Sequence, residues 1–103
     1  IQMREIQRLD IYKESINKEI VPCIVIESDI YDSIVVPLLD SVNDVEDIYC
    51  SVETKTLGKK YAVMSKLVLI RTKRLTEEKF IERLPDVPVL AELAKCYDKL
   101  FVG

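Results

Sequence analysis

The chain alternates short apolar runs with polar connections, and most of the runs have the period of a strand. Residues 6–12 mix apolar and polar positions as a half-buried strand does, and the polar stretch 13–18 then reads as a turn. Residues 20–26 form a nearly unbroken apolar run rich in β-branched side chains, which predicts a central strand buried on both faces. The stretch 28–33 punctuates it, and residues 34–39 are the next strand. Pro37 has no N–H to give to a ladder, so an edge or a bulge is expected there. An acidic connection, 40–47, follows. Ile48, Cys50 and Val52 then alternate with Tyr49, Ser51 and Glu53, the pattern of a one-sided strand. The segment 54–60 holds Gly58 and reads as a hairpin loop, and residues 61–65 and 67–74 read as two further strands.

The pattern changes near the end. Thr76 before Glu77 and Glu78 looks like an N-cap with acids in the first turn, which predicts a short helix ending before Pro85. Asp86 can cap a predicted second helix, with Pro88 tolerated in its first turn. Leu90, Leu93, Ala94, Tyr97, Leu100 and Phe101 recur at three- and four-residue steps, so one face of that helix serves the core or a partner. Leu100 suits the core side, whereas Val102 and Gly103 lie beyond the last periodic apolar position. Five to six short antiparallel strands followed by a C-terminal α-helix predict a single mainly β domain over residues 1–103. A small barrel or sandwich with the helix at one side fits that order. A doubly wound α/β fold would need helices between the strands, and no segment fits one.

Composition narrows the function classes. The 103 residues are 49% apolar and 32% charged, the balance of a soluble globular domain and too apolar for disorder. No apolar run approaches membrane-spanning length, and the opening residues have no basic-then-apolar leader, so a cytoplasmic protein is expected. Histidine is absent, which excludes a Ser-His-Asp triad, a Cys-His pair and His-ligated zinc. Two glycines cannot make a phosphate-cradling loop. Cys23, Cys50 and Cys96 lack Cys-x-x-Cys spacing and read as small apolar thiols in a reducing compartment, so no metal and no cofactor are expected.

Charge is unevenly spread. Residues 21–50 carry seven acids and no base, and residues 51–83 carry nine bases and four acids. The cluster Arg71-Thr72-Lys73-Arg74 reads as a solvated strand end, because a strand turns alternate side chains to opposite faces. The acidic third repels DNA and attracts a basic partner. Asp29 and Asp32 read as turn formers ahead of cation ligands, since Asp bonds its own backbone in turns. The five scattered tyrosines make no stacking platform for nucleic acid. The residues alone therefore describe a small β-barrel domain that binds another protein.

Several segments, taken in order, resemble the CcdB family of toxins, the gyrase poisons of bacterial toxin–antitoxin modules. Leu9-Asp10-Ile11-Tyr12-Lys13 is similar to that family's opening strand. Ile24-Val25-Ile26-Glu27-Ser28-Asp29-Ile30-Tyr31-Asp32 resembles its next strand and Ser-Asp loop, and Ile34-Val35-Val36-Pro37-Leu38 the strand after it. Tyr61-Ala62-Val63-Met64-Ser65 fits the central hairpin, and Leu100-Phe101-Val102-Gly103 the C-terminal signature. The resemblance implies an SH3-like barrel with a C-terminal helix, forming a homodimer in the bacterial cytoplasm. It also implies a non-enzymatic toxin whose Phe101, Val102 and Gly103 insert between the A subunits of DNA gyrase. A cognate antitoxin would neutralise it and make the DNA contacts, with no direct nucleic-acid binding by the toxin. Met64 and Leu67 are candidates for dimer contacts or for core packing, and Tyr97 for core or interface.

Two positions depart from the family. Its signature has Trp where this chain has Val102, and its Ser-Asp loop is longer by a few residues. The alternative lies in the same superfamily, among MazF/Kid-like endoribonucleases. Those carry an Arg before the Pro of the second strand, and a Thr or Ser at the end of the third, to handle phosphorane charge. The equivalent positions here are Val21 and Leu39, so RNA cleavage would fall to Arg71 or Arg74. A degenerate toxin acting only as a binding or regulatory module is the third reading.

Overall fold

A computed structural model describes residues 6–43, 45–84 and 95. The described chain is mainly β: β1 (Asp10–Ile16), β2 (Glu19–Ser28), β3 (Asp32–Leu39), β4 (Tyr49–Thr54), β5 (Gly58–Val63), β6 (Val68–Arg71) and β7 (Phe80–Arg83). Short 3-10 turns occupy Met64–Lys66, Thr72–Arg74 and Glu77–Lys79. The seven strands pair antiparallel in the order β4-β5-β3-β2-β1-β7, and β6 also joins β3. That is one or two strands more than the sequence pattern predicts. The predicted C-terminal α-helix lies outside the described residues except for Lys95, which is helical and exposed.

β3 makes the sheet curl. Its first half, Asp32 to Val35, pairs with β6, and Leu38 and Leu39 pair with β5. One strand thus serves two neighbours on the same side, and the sheet bends into a half-barrel. Pro37 sits on this inner strand, not at an outer edge. It falls where β6 has ended and β5 has not begun, so its missing N–H breaks no ladder bond on that side.

The first hairpin corrects the expected boundaries. Asn17 and Lys18 have φ of 52° and 70°, and Ile16 pairs with Glu19 across them. Positive φ at both central residues is the geometry of a two-residue hairpin turn that matches strand twist. The stretch 13–18, expected as a turn, is therefore mostly strand. β2 is buried on both faces as its apolar run predicts, with Ile24 and Ile26 on one side and Cys23 and Val25 on the other. The run begins too early, however, since Ile20 is 76% exposed. The second hairpin turns at 55–57, where Gly58 takes φ +76° and Thr54 Oγ1 accepts from the Leu57 N–H at 2.8 Å. Glu82 on β7 accepts from the N–H groups of Lys55 and Thr56 at 3.0 and 2.8 Å, tying this turn to the far edge of the sheet.

Two corrections concern the region after β5. β6 stops at Arg71, and the chain turns so that Thr72 reaches β3: its hydroxyl bonds Ser33 Oγ at 2.7 Å and its N–H donates to the Tyr31 carbonyl at 3.0 Å. The helix expected from Thr76 is a single 3-10 turn with no side-chain cap, followed by β7 on β1. The acids there mark a turn rather than a helix start.

The two faces of the curled sheet hold separate cores. Ile11, Ile24, Val36, Leu38, Val52 and Met64 lead the first cluster. Tyr12, Cys23, Val25, Val35, Ile70 and Leu75 make the second, with Phe80 edge-on to Tyr12 at 5.5 Å between ring centres. No helix among the described residues is long and apolar enough to cross a membrane.

Candidate functional site

The second face is where polar chemistry collects. β1 alternates, so Tyr12, Glu14 and Ile16 point to the same side, and Glu14 enters a buried environment with only 1% of its side chain exposed. A lone carboxylate there would be expensive. It is held by two cations from later in the chain. Its Oε1 accepts from the Arg74 guanidinium and from the Ser15 N–H at 3.0 Å. Lys79 Nζ stands 3.6 Å from Oε2 and donates to the Arg74 carbonyl at 3.1 Å. Oε2 makes no hydrogen bond. The trio carries a net single positive charge, and its cations are the solvent-facing members.

Asp10, also buried, makes a parallel arrangement. It accepts from Arg83 Nε at 2.5 Å and Nη2 at 3.4 Å, and from the Gln7 N–H at 3.0 Å. Both buried acids of β1 thus tether the turns and the strand that follow β6.

Past this clamp the second face opens into a trough of about 680 Å³. Val21, Pro37, Leu39, Val68 and Ile70 line it, with Lys66 and Arg74 among its polar wall. A volume of this size lies within the roughly 300–1,000 Å³ typical of ligand clefts. The two positions singled out for a nuclease, Val21 and Leu39, both belong to this wall. They bring aliphatic surface to it, with no acid, base or hydroxyl. Lys66 and Arg74 are the cations there, and both already face carboxylates, Arg74 bound to Glu14 and Lys66 Nζ 3.9 Å from Asp47 Oδ2.

The Ser-Asp loop is pre-organised. Asp29 Oδ1 accepts from the N–H groups of Tyr31 and Asp32, both at 2.7 Å, and those bonds hold its carboxyl below the usual carboxylate value. The Thr72 hydroxyl donates to the Asp29 carbonyl at 2.8 Å. Asp29 is therefore a turn former, as its spacing predicts, and Asp32 pairs with Arg71 at 3.5 Å. Ile30 and Tyr31 at the tip are exposed. Among the described residues no group of three or more metal-ligating side chains comes together.

The remaining sequence-predicted residues divide sharply. Phe101, Val102 and Gly103, the expected target-binding tip, lie outside the described residues, as do Tyr97 and Cys96. Met64 has no exposed surface and packs in the first cluster, and Leu67 is half-buried against it. Cys23 is buried, and burial first, then the Glu14 charge, pushes its thiol up to about 12, so it is no nucleophile. Cys50 is half-buried beside the first cluster. Sequence reasoning missed Glu14, Lys66 and Lys79. The one available signal was a carboxylate at a position whose neighbours Tyr12 and Ile16 mark the inward face.

The chain matches no protein-family model and no curated protein sequence.

Proposed function

We propose that the chain is a CcdB-like toxin with an SH3-like barrel, a protein that poisons DNA gyrase and catalyses nothing itself. The observation that carries this reading is the placement of the resembling segments on the half-barrel. Leu9 to Lys13 opens β1, and Ile24 to Asp32 runs from β2 through the rigid loop into β3. Ile34 to Leu38 fills β3, and Tyr61 to Ser65 closes β5. In this reading a homodimer presents Phe101, Val102 and Gly103 to the A subunits of gyrase in the bacterial cytoplasm. The tip wedges the enzyme while its DNA is cut, and an antitoxin removes the toxin from circulation. Val102 buries less area than the family's indole and lacks its N–H donor, so the trap is weaker and Val102→Trp tightens it.

A ribonuclease reading has one observation in its favour, the presence of Arg74 in the wall that holds Val21 and Leu39. Incubation with gyrase and supercoiled plasmid, and separately with single-stranded RNA, separates the two. The toxin reading expects linear plasmid and intact RNA. RNA fragments without linear plasmid would transfer the activity to Arg74 and reject the gyrase assignment.

A further inference from the structure

The connection between β3 and β4 borders a second cavity, of about 440 Å³, which the gyrase reading does not use. Asp47 stands in its wall with only 10% of its side chain exposed. The Ser65 hydroxyl holds that carboxylate, donating to Oδ1 at 2.7 Å. Ser65 is itself pinned to Ile48: its Oγ accepts the Ile48 N–H at 3.1 Å, and its own N–H donates to the Ile48 carbonyl at 3.3 Å. The other oxygen, Oδ2, is met only loosely. Its ion-pair partner among the described residues, Lys66 Nζ, stands 3.9 Å away, beyond hydrogen-bond reach. A carboxylate nine-tenths out of water and paired at that distance is short of donors.

The rest of the wall says what would complete it. Lys66 lines the same cavity, and its side chain is 53% exposed, so the ammonium can swing on its long stem. Leu39, Val42 and Val45 bring aliphatic surface, and Val45 has no cover at all. Ser41 and Asn43 add exposed neutral polar groups. Among the described residues no aromatic ring and no second cation lines the cavity, so it suits neither a nucleobase nor a phosphate chain. Its volume lies near the lower end of the roughly 300–1,000 Å³ of ligand clefts.

We propose that this cavity binds a free α-amino acid with a branched aliphatic side chain, held between Asp47 and Lys66. The ammonium group of the ligand would donate to Asp47 Oδ2, and its carboxylate would accept from Lys66 Nζ. One loose ion pair is thereby replaced by two charge-assisted hydrogen bonds. The side chain of the ligand would cover Leu39, Val42 and Val45 and take their surface from water. A ligand with one charge meets only one of the two groups and is repelled by the other: a plain amine by Lys66, a plain acid by Asp47. The proposal stands whether or not the tip engages gyrase.

Titration of the full chain, followed by amide chemical shifts, tests it. The probes are L-leucine, isocaproate (leucine without its ammonium), isoamylamine (leucine without its carboxylate) and glycine. Leucine should saturate below about 10 mM and move the amides of Val42, Asn43 and Lys66. The other three should bind about tenfold more weakly, each lacking one charge or the side chain. Asp47→Asn keeps an acceptor for Ser65, so the fold should hold. It should weaken leucine about tenfold without weakening isocaproate, whereas Lys66→Gln should weaken both without weakening isoamylamine. No saturable binding of leucine, shifts confined to other parts of the fold, equal binding of the singly charged probes, or an Asp47→Asn loss shared by isocaproate would each overturn the proposal.

Discussion

The two faces of the curled sheet are finished in different ways. The first cluster is apolar throughout, from Leu9 and Ile11 on one side to Val52 and Met64 on the other, and it closes by shape alone. The second also has an apolar centre, but β1 sends the buried carboxylates Asp10 and Glu14 to its side. Arg83, Arg74 and Lys79 meet them, and the face still opens at the hairpin end into the trough. A buried ion pair adds little net stability over an apolar substitute, yet removing one partner is costly. The first face therefore carries the stability. The second fixes where the turns and strand after β6 lie, and among the described residues it stays open at the trough.

Substitutions in matching positions test that division. Ile24→Ala empties a fully buried site in the first cluster and should cost about 2–5 kcal/mol in urea unfolding. Val21→Ala, in the trough wall, should cost about 1 kcal/mol or less, because its site is already open to water. Equal losses would erase the contrast. Arg74→Met comes next. It leaves Glu14 buried with Lys79 alone, and should cost about 2 kcal/mol, less than the roughly 3–5 kcal/mol of a fully buried pair because Arg74 is 44% exposed. Glu14→Leu releases two exposed cations to water and should cost less, and the double variant should recover part of the Arg74→Met loss. Full additivity would show that the clamp does not exist.

Smaller effects lie at the turns. Gly58 has φ +76° with nothing within 4 Å of an added Cβ, so Gly58→Ala should cost about 1 kcal/mol through the backbone alone. The weakest is a pH effect. Backbone bonds hold Asp29 below its ordinary 3.8. Partial burial pulls Glu82 upward, but bonds from Thr56 and Lys55 outweigh it and leave it below 4.5. Both carboxyls are more acidic folded than unfolded, so their contribution is complete above those ordinary values. It is lost as pH falls through the lower folded ones. The urea midpoint should fall over that acidic window, and Glu82→Gln should flatten the fall.

Much of the first face was legible in the sequence, because an unbroken β-branched run such as Ile24-Val25-Ile26 has no other economical home than a two-sided strand. The second face was less so. Glu14 interrupts the apolar alternation of Tyr12 and Ile16, and so the strand looked like a turn. The partner that explains it, Arg74, stands sixty positions away along the chain, beyond the reach of any local pattern. β7 was hidden for a similar reason. Phe80 to Arg83 is too short to declare a strand by period, and only β1 gives it a ladder. Val21 and Leu39 were found through the resemblance, and the fold shows what their spacing does not, that they share one trough.

The claim on which the functional account rests is that the C-terminal tip acts by jamming gyrase. The direct measurement is the yield of linear DNA from gyrase and supercoiled plasmid, with the whole chain and with a chain ending at Phe101. The account predicts linear DNA from the first and little from the second, while circular dichroism and oligomeric state stay the same for both. Equal yields from the two chains, or none from either, would contradict it.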